Sequence, residues 1–388
     1  MKVVLVCLVG VFATLVAFTS GELAQICLPP VPFCLLENNC VCTSKKSPIP
    51  TEETPQLISL TFSESVTDDL YTNLWAPLLL GRTNPDGAPI SATFFVPHEY
   101  TDYRRVHDLY ANGFEIGVNS ITSNYSELYW ATASVDTLVQ EFDGQRTIIS
   151  HFATIPGEDI VGVRTPQLQL QGDVSIDAFV AAGFEYDSSW SSTSLDPYFP
   201  YTLDYLSHQE CRLGTTCPIQ SHPGFWVAPI IDRRRYTDRS WVDCNNLSTC
   251  YVNGTSDEIA EWLLRGIEQE RSGNRAPITL IVPSDWFRMI YNSYLGFAKF
   301  LDTVGTMDDV FLVNLKQVVD WAKNPVPLSE FKTAVTTPET ECHRNTCKLR
   351  TAAGEVRYLT LCVRDGGRYC PDVYPWLGNP LGEIQKEA

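Results

Sequence analysis

The chain has 388 residues, a formal net charge of −18, 44% hydrophobic residues and thirteen cysteines. That apolar content supports a packed core and excludes a disordered chain. So acidic a balance leaves no basic face for phosphate, which excludes nucleic acid as a partner.

At the N-terminus, Lys2 precedes an apolar run from Val3 to Phe18 and then Thr19, Ser20 and Gly21, the layout of a secretory signal peptide cleaved near Gly21. The run falls short of the roughly 20 apolar residues a spanning helix needs, and no later stretch approaches it, so no membrane span is expected. Setting Cys7 aside leaves twelve cysteines: Cys27, Cys34, Cys40, Cys42, Cys211, Cys217, Cys244, Cys250, Cys342, Cys347, Cys362 and Cys370. An even number in a secreted chain implies disulfides, with the pairing left open by the spacing, and no paired CxxC suggests a zinc-thiolate site. Asn124-Tyr125-Ser126, Asn246-Leu247-Ser248 and Asn253-Gly254-Thr255 are glycosylation sequons of the same compartment.

Residues 22–54 read as a Cys- and Pro-rich arm. Pro55 to Ser65 then brings Leu57, Ile58, Leu60 and Phe62 together as an inner parallel strand that runs straight into Ser63, Glu64 and Ser65. Ligands bind at that end of a strand in α/β sheets and barrels, so the chemistry is expected near Glu64. Helical spacing follows over Asp68–Leu80, a strand over Ile90–Val96, a helix over Tyr103–Ala111 stopped by Gly113, and a strand over Phe114–Val118. Val135–Phe152 contains one or two helices, Ile160–Val163 is a strand leading to Arg164, and Ser175–Ala182 is a helix ended by Gly183 ahead of Phe184–Tyr186. Residues 191–254 read as long loops with a few strands, the run Arg233-Arg234-Arg235 among them as a solvated loop. Thr255 and Glu258 have capping-box spacing before a helix that ends near Gly273. Strands over Ile278–Val282 and Val310–Val313 alternate with helices over Tyr291–Val304 and Leu315–Ala322. This alternation over 55–324 predicts a parallel (β/α) barrel in preference to an open doubly wound sheet, with 325–388 as a disulfide-tied extension.

The segments LTFSES, ISATFFVPHEYTDY, GFEIGVNSITS, VGVRTPQLQLQGD, FEYDSSW, YTLDY, PGFWVAP, RAPITLIVPSDWF and CPDVYPWLGNPLG occur in that order along the chain. In content and order they resemble the secreted insect chitin deacetylases, polysaccharide deacetylases of carbohydrate esterase family 4, over nearly the whole mature sequence. The short arm without a separate chitin-binding module is similar to the gut-type members associated with the peritrophic matrix. The resemblance implies a distorted (β/α) barrel. It also implies a zinc ion held by one Asp and two His, an Asp base beside the ligand Asp, and a His acid on a later strand.

At each of those positions this sequence departs. The family base falls on Ser63 and the ligand Asp on Glu64; the two ligand His fall on Asn119 and Ser123; the acid His falls on Pro283. Asn119 and Ser123 are weak ligands for zinc, Pro283 has no titratable group, and the six His, at 98, 107, 151, 208, 222 and 343, include no pair three to five apart. No cofactor is therefore expected. Arg164 and Asp187 are kept as the supporting pair and are expected to form a partly buried ion pair at the rim. Trp190, Trp226 and Trp286 are either core residues or stacking platforms for a sugar. The expectation is a secreted protein that has lost catalysis and binds chitin or chito-oligosaccharides, or acts structurally with other proteins of a chitinous matrix. The alternative is an active deacetylase with a rearranged site.

Overall fold

The computed structural model describes residues 21–27, 34–195, 197–212, 214–237, 239–333, 342–363 and 370–384; the signal-peptide reading lies outside them. Strand β1 (Gln56–Phe62) is buried along its whole length. It pairs in parallel with β12 (Ile278–Ile281) on one side, and on the other with β13 (Val310–Leu312) at its start and β2 (Thr93–Pro97) at its end. From β2 the sheet runs through β3 (Glu115–Ser120), β4 (Gly162–Val163), β5 (Tyr186–Asp187) and β8 (His222–Val227), all parallel. It ends on β7 (Tyr201–Leu203), which is antiparallel to β8.

From β1 through β5 to β8 neighbours in space follow chain order, without the strand-order reversal of a doubly wound sheet, and β12 and β13 return to β1. The result is a distorted (β/α) barrel, a curled sheet open between β8 and β12. The small parallel pair β6 (Ser191–Ser192) and β9 (Ile230–Ile231) sits in that gap, with β9 against β12. Gly162 is required where it stands: a Cβ there would lie 2.3 Å from the Tyr186 ring, which crosses β4.

Helices cover the outside. Tyr103–Ala111 and the single 19-residue helix Val135–Ala153 stand where the periodicity placed them, and helix Ser256–Ser272 opens with both bonds of the Thr255/Glu258 capping box. Between β12 and helix Ser293–Val304 lies a short helix, Ser284–Met289, that the spacing did not reveal. Two regions carry more regular structure than expected. Arg233–Tyr236 forms β10 of a hairpin with β11 (Trp241–Cys244), so the arginine run is not a solvated loop, and Arg233 is 6% exposed. In the C-terminal extension β14 (His343–Arg350) and β15 (Val356–Val363) form a hairpin whose Leu349, Leu359 and Leu361 join the main core.

The twelve cysteines form six disulfides, each within its own cluster: Cys27–Cys42, Cys34–Cys40, Cys211–Cys217, Cys244–Cys250, Cys342–Cys362 and Cys347–Cys370. The arm docks through Val41, which exchanges bonds with Thr202 on β7, and through Asn39, which accepts from the Trp226 indole at 2.9 Å. The terminal segment docks on His98, whose ring lies between the Tyr103 hydroxyl at 2.7 Å and the Pro375 carbonyl at 3.0 Å. Full burial pulls the His98 pKa down to about 3, so this contact is made by a neutral imidazole. Among the described residues no helix is long and apolar enough to cross a membrane.

Candidate active site

The ends of β1, β3, β4, β5 and β12 bring together Ser63, Glu64, Asn119, Ser123, Arg164, Asp187 and Pro283, residues that lie up to 220 positions apart in sequence. Arg164 organises the cluster. It is 1% exposed and spends its donors on the Ser188 carbonyl (2.6 Å), the Ser188 hydroxyl (2.9 Å), the Thr61 hydroxyl (2.7 Å) and the Ser63 hydroxyl (3.3 Å). Its guanidinium carbon sits 4.4 Å from the centre of the Phe95 ring, a cation–π contact on the remaining face. Burial lowers its pKa to about 9, against the pull of Tyr186, Asp187 and Glu115.

Asp187 is fully buried, and its two oxygens accept from the Ser189 hydroxyl at 2.6 Å and the Ser189 amide at 3.0 Å. Burial pushes its pKa up to about 7. The expected rim ion pair is therefore corrected. Both groups lie inside the barrel: Ser189 holds Asp187, and Ser188, Thr61 and Ser63 hold Arg164, so hydroxyls and backbone groups satisfy each without the two side chains having to meet.

Glu64 turns toward the next strand. Its carboxylate accepts from the Ser284 amide at 2.8 Å and from the Ser284 hydroxyl, closing the start of helix Ser284–Met289 in place of Pro283, whose side chain has no acceptor. Desolvation outweighs these bonds and raises the Glu64 pKa. Asn119 and Ser123, four apart, do meet. The Ser123 hydroxyl donates to Asn119 Oδ1 at 3.2 Å, and Asn119 Nδ2 donates to the Arg164 carbonyl at 3.1 Å.

These residues do not fit zinc. They offer one carboxylate already bonded to Ser284, one amide oxygen and one hydroxyl, with no imidazole, whereas zinc prefers His nitrogen, thiolate and carboxylate. Among the described residues the closest groupings of potential ligands are Cys27, Cys34, Cys42 and His107, Cys342, Cys362, in which every sulfur is in a disulfide.

The three tryptophans are packed inside. Trp226 and Trp286 are fully buried, Trp190 is 5% exposed, and none offers a face to a pyranose; the sugar-stacking reading of these residues is corrected to core packing. The indole N–H groups of Trp190 and Trp286 are buried without a hydrogen-bond partner. Sequence reasoning missed the exposed aromatics at this end of the barrel. Tyr125, 90% exposed, follows β3, and its carbonyl accepts from Gln167 on the neighbouring loop; Tyr291, 87% exposed, follows helix Ser284–Met289. It missed Ser284 and Ser188 as well, since nothing local marks a serine as the partner of a residue far along the chain.

A curled parallel sheet with a polar cluster at the C-terminal ends of its strands defines a protein of the polysaccharide deacetylase type. The chain is 36% identical over 363 residues to chitin deacetylase 8 of Bombyx mori, a match covering 89% of this chain and 91% of that protein. It is 30% identical over 376 residues to chitin deacetylase 1 of Bombyx mori, covering 92% of this chain and 68% of that one. The chain belongs to the chitin deacetylase family. No family model matches it. Among solved structures, a family 4 acetyl xylan esterase from Clostridium thermocellum is similar at 15% identity and a TM-score of 0.39, over 73% of this chain and 99% of that one, too distant a likeness to carry weight.

Proposed function

We propose that the chain is a secreted, catalytically inactive member of the chitin deacetylase family that binds chitin or chito-oligosaccharides at the open end of the barrel. The observation that carries this reading is the mutual pairing of the mouth. Glu64 is held by Ser284, Asn119 and Ser123 are held by each other, and proline stands where the resemblance places the acid. Among the described residues, those at the positions of the family's base, metal ligands and acid are thus bonded to protein partners or carry no titratable group. Six disulfides favour an oxidising, extracellular setting such as the peritrophic matrix, where other matrix proteins would be further partners. The exposed rings of Tyr125 and Tyr291 supply the flat apolar faces that suit pyranoses.

The test pairs two readouts on the purified protein supplied with zinc: sedimentation onto colloidal chitin, and acetate release from chito-oligosaccharides. Binding without acetate is expected. Acetate release would establish the alternative, an active enzyme with a rearranged site. Absence of binding would leave a structural, protein-binding role in the matrix.

A further inference from the structure

Away from the barrel mouth, the hairpin β10–β11 lies against helix Ser256–Ser272 and encloses a cavity of about 470 Å³ lined by Arg233, Arg234, Tyr236, Trp241, Trp262 and Arg265. Its volume suits a single-ring ligand. Arg233 is more than nine-tenths buried, yet its Nη1 has no hydrogen-bond partner, and among the described residues it makes no ion pair. The fold makes room for this side chain at a specific place: a Cβ on Gly266 would sit 1.7 Å from Arg233 Nη2, so the guanidinium crosses the helix where a side chain is missing.

Glu270 and Asp232 are close enough for their charge to be felt by Arg233, but neither makes an ion pair with it: Asp232 is bonded to Arg212 at 2.7 Å, and burial raises the pKa of Glu270 to about 7. Nη1 is sealed within the protein, and the nitrogen beside the cavity wall is Nη2, next to Gly266; a buried guanidinium without an ion pair can take an acceptor there. Beside it, Trp241 and Tyr236, 58% and 64% exposed, pack edge to face with centroids 5.3 Å apart, and the Trp262 indole is fixed by the Arg234 carbonyl at 2.9 Å. Arg234 lies 5.3 Å over the Trp241 ring and 3.2 Å from Asp243, and Arg265 stands at the edge beside Glu261.

We propose that this cavity is a second binding site, for a small oxyanion carried on a six-membered ring: Arg233 takes the carboxylate and the Trp241–Tyr236 wall takes the ring. The site is independent of the barrel mouth and of any activity there. A sugar acid and an aromatic acid share this chemistry, so calorimetric titration of the full chain uses sodium glucuronate in one arm and sodium benzoate in the other, with glucose as the uncharged control.

At least one acid binds at a single site, and glucose binds about tenfold more weakly or not at all, as expected for loss of a hydrogen bond to a charged group. Trp241→Ala, on the exposed wall, weakens the acid by about three- to tenfold, and Arg265→Gln, at the exposed edge, by about two- to fivefold. Arg233→Met abolishes binding, and the two exposed variants keep the test decisive should that buried substitution prevent folding. Tighter glucuronate identifies a sugar acid, and tighter benzoate an aromatic one. Failure of both acids to saturate at concentrations that saturate ordinary millimolar sites, or acid binding unchanged in both Trp241→Ala and Arg265→Gln, overturns the proposal.

Discussion

The barrel mouth and the flank cavity handle polar groups in opposite ways. At the mouth Glu64, Asn119, Ser123 and Arg164 find their partners in the protein itself, whereas at the flank Arg233 is buried with a nitrogen left over. A site whose donors and acceptors satisfy one another gives up internal bonds to take a polar ligand, and a site with an orphaned donor gives up none. The difference teaches that family ancestry and present binding capacity can sit in different places. The mouth retains the architecture of a catalytic centre with its polar residues paired to one another, while a buried guanidinium without an ion pair lies elsewhere.

The largest effect is expected from Arg164, on which the self-satisfaction of the mouth depends. Arg164→Met leaves Thr61, Ser63 and Ser188 without their donor and Asp187 without a nearby countercharge, and should destabilise the fold by about 3 kcal/mol or more in urea denaturation. A loss below about 1 kcal/mol would show that water replaces the guanidinium readily, so that the mouth is open to ligands after all.

Asp187 gives a test through pH. Folded Asp187 keeps its proton up to about pH 7, while its ordinary value is 3.8. The folded state therefore binds more protons across that interval, and this residue's contribution to stability falls as pH rises from about 4 to about 7. Asp187→Asn keeps an acceptor for Ser189 but cannot ionise. Its stability relative to the unaltered protein should rise by on the order of 3 kcal/mol between those pH values. A pH-independent difference would mean that Asp187 is ionised throughout.

Smaller effects are expected at the exposed rings. Tyr125→Ala and Tyr291→Ala should each weaken chito-oligosaccharide binding by on the order of 1 kcal/mol without changing stability. If both bind as the unaltered chain does, the sugar lies elsewhere.

Much of this fold was legible in the sequence because the signals were local. The apolar run of β1, the Thr255/Glu258 capping box and the alternation of strands with helices each depend on residues within a few positions of one another. The resemblance put Asn119, within β3, and Ser123, four residues on, at one site, and the structure joins them by a hydrogen bond that the sequence did not announce. What escaped depends on contacts across the chain. The turn of Glu64 to Ser284 joins residues 220 apart, and the burial of Arg233 depends on a glycine in a helix that the sequence does not mark as its neighbour. The tryptophans misled for a related reason: an indole in a family motif suits a core and a sugar platform equally, and the choice is made by what packs around it. Trp226, for example, is covered by the docked arm through Asn39.

Reversal of the lost chemistry separates a decayed first layer from a drifted scaffold. Ser63→Asp, Glu64→Asp, Asn119→His, Ser123→His and Pro283→His together should restore zinc uptake, and partial sets should do much less, because metal ligands act as a unit. A folded five-site variant that takes up no zinc would mean that the surrounding frame has moved as well.

The most direct measurement is acetate release from chito-oligosaccharides by the unaltered protein supplied with zinc, followed over many hours at high protein concentration. A mouth whose polar groups are committed to one another should release no acetate above the protein-free blank. Release at a rate of about 1 per second or faster, within the ordinary range of enzymes, would contradict the account.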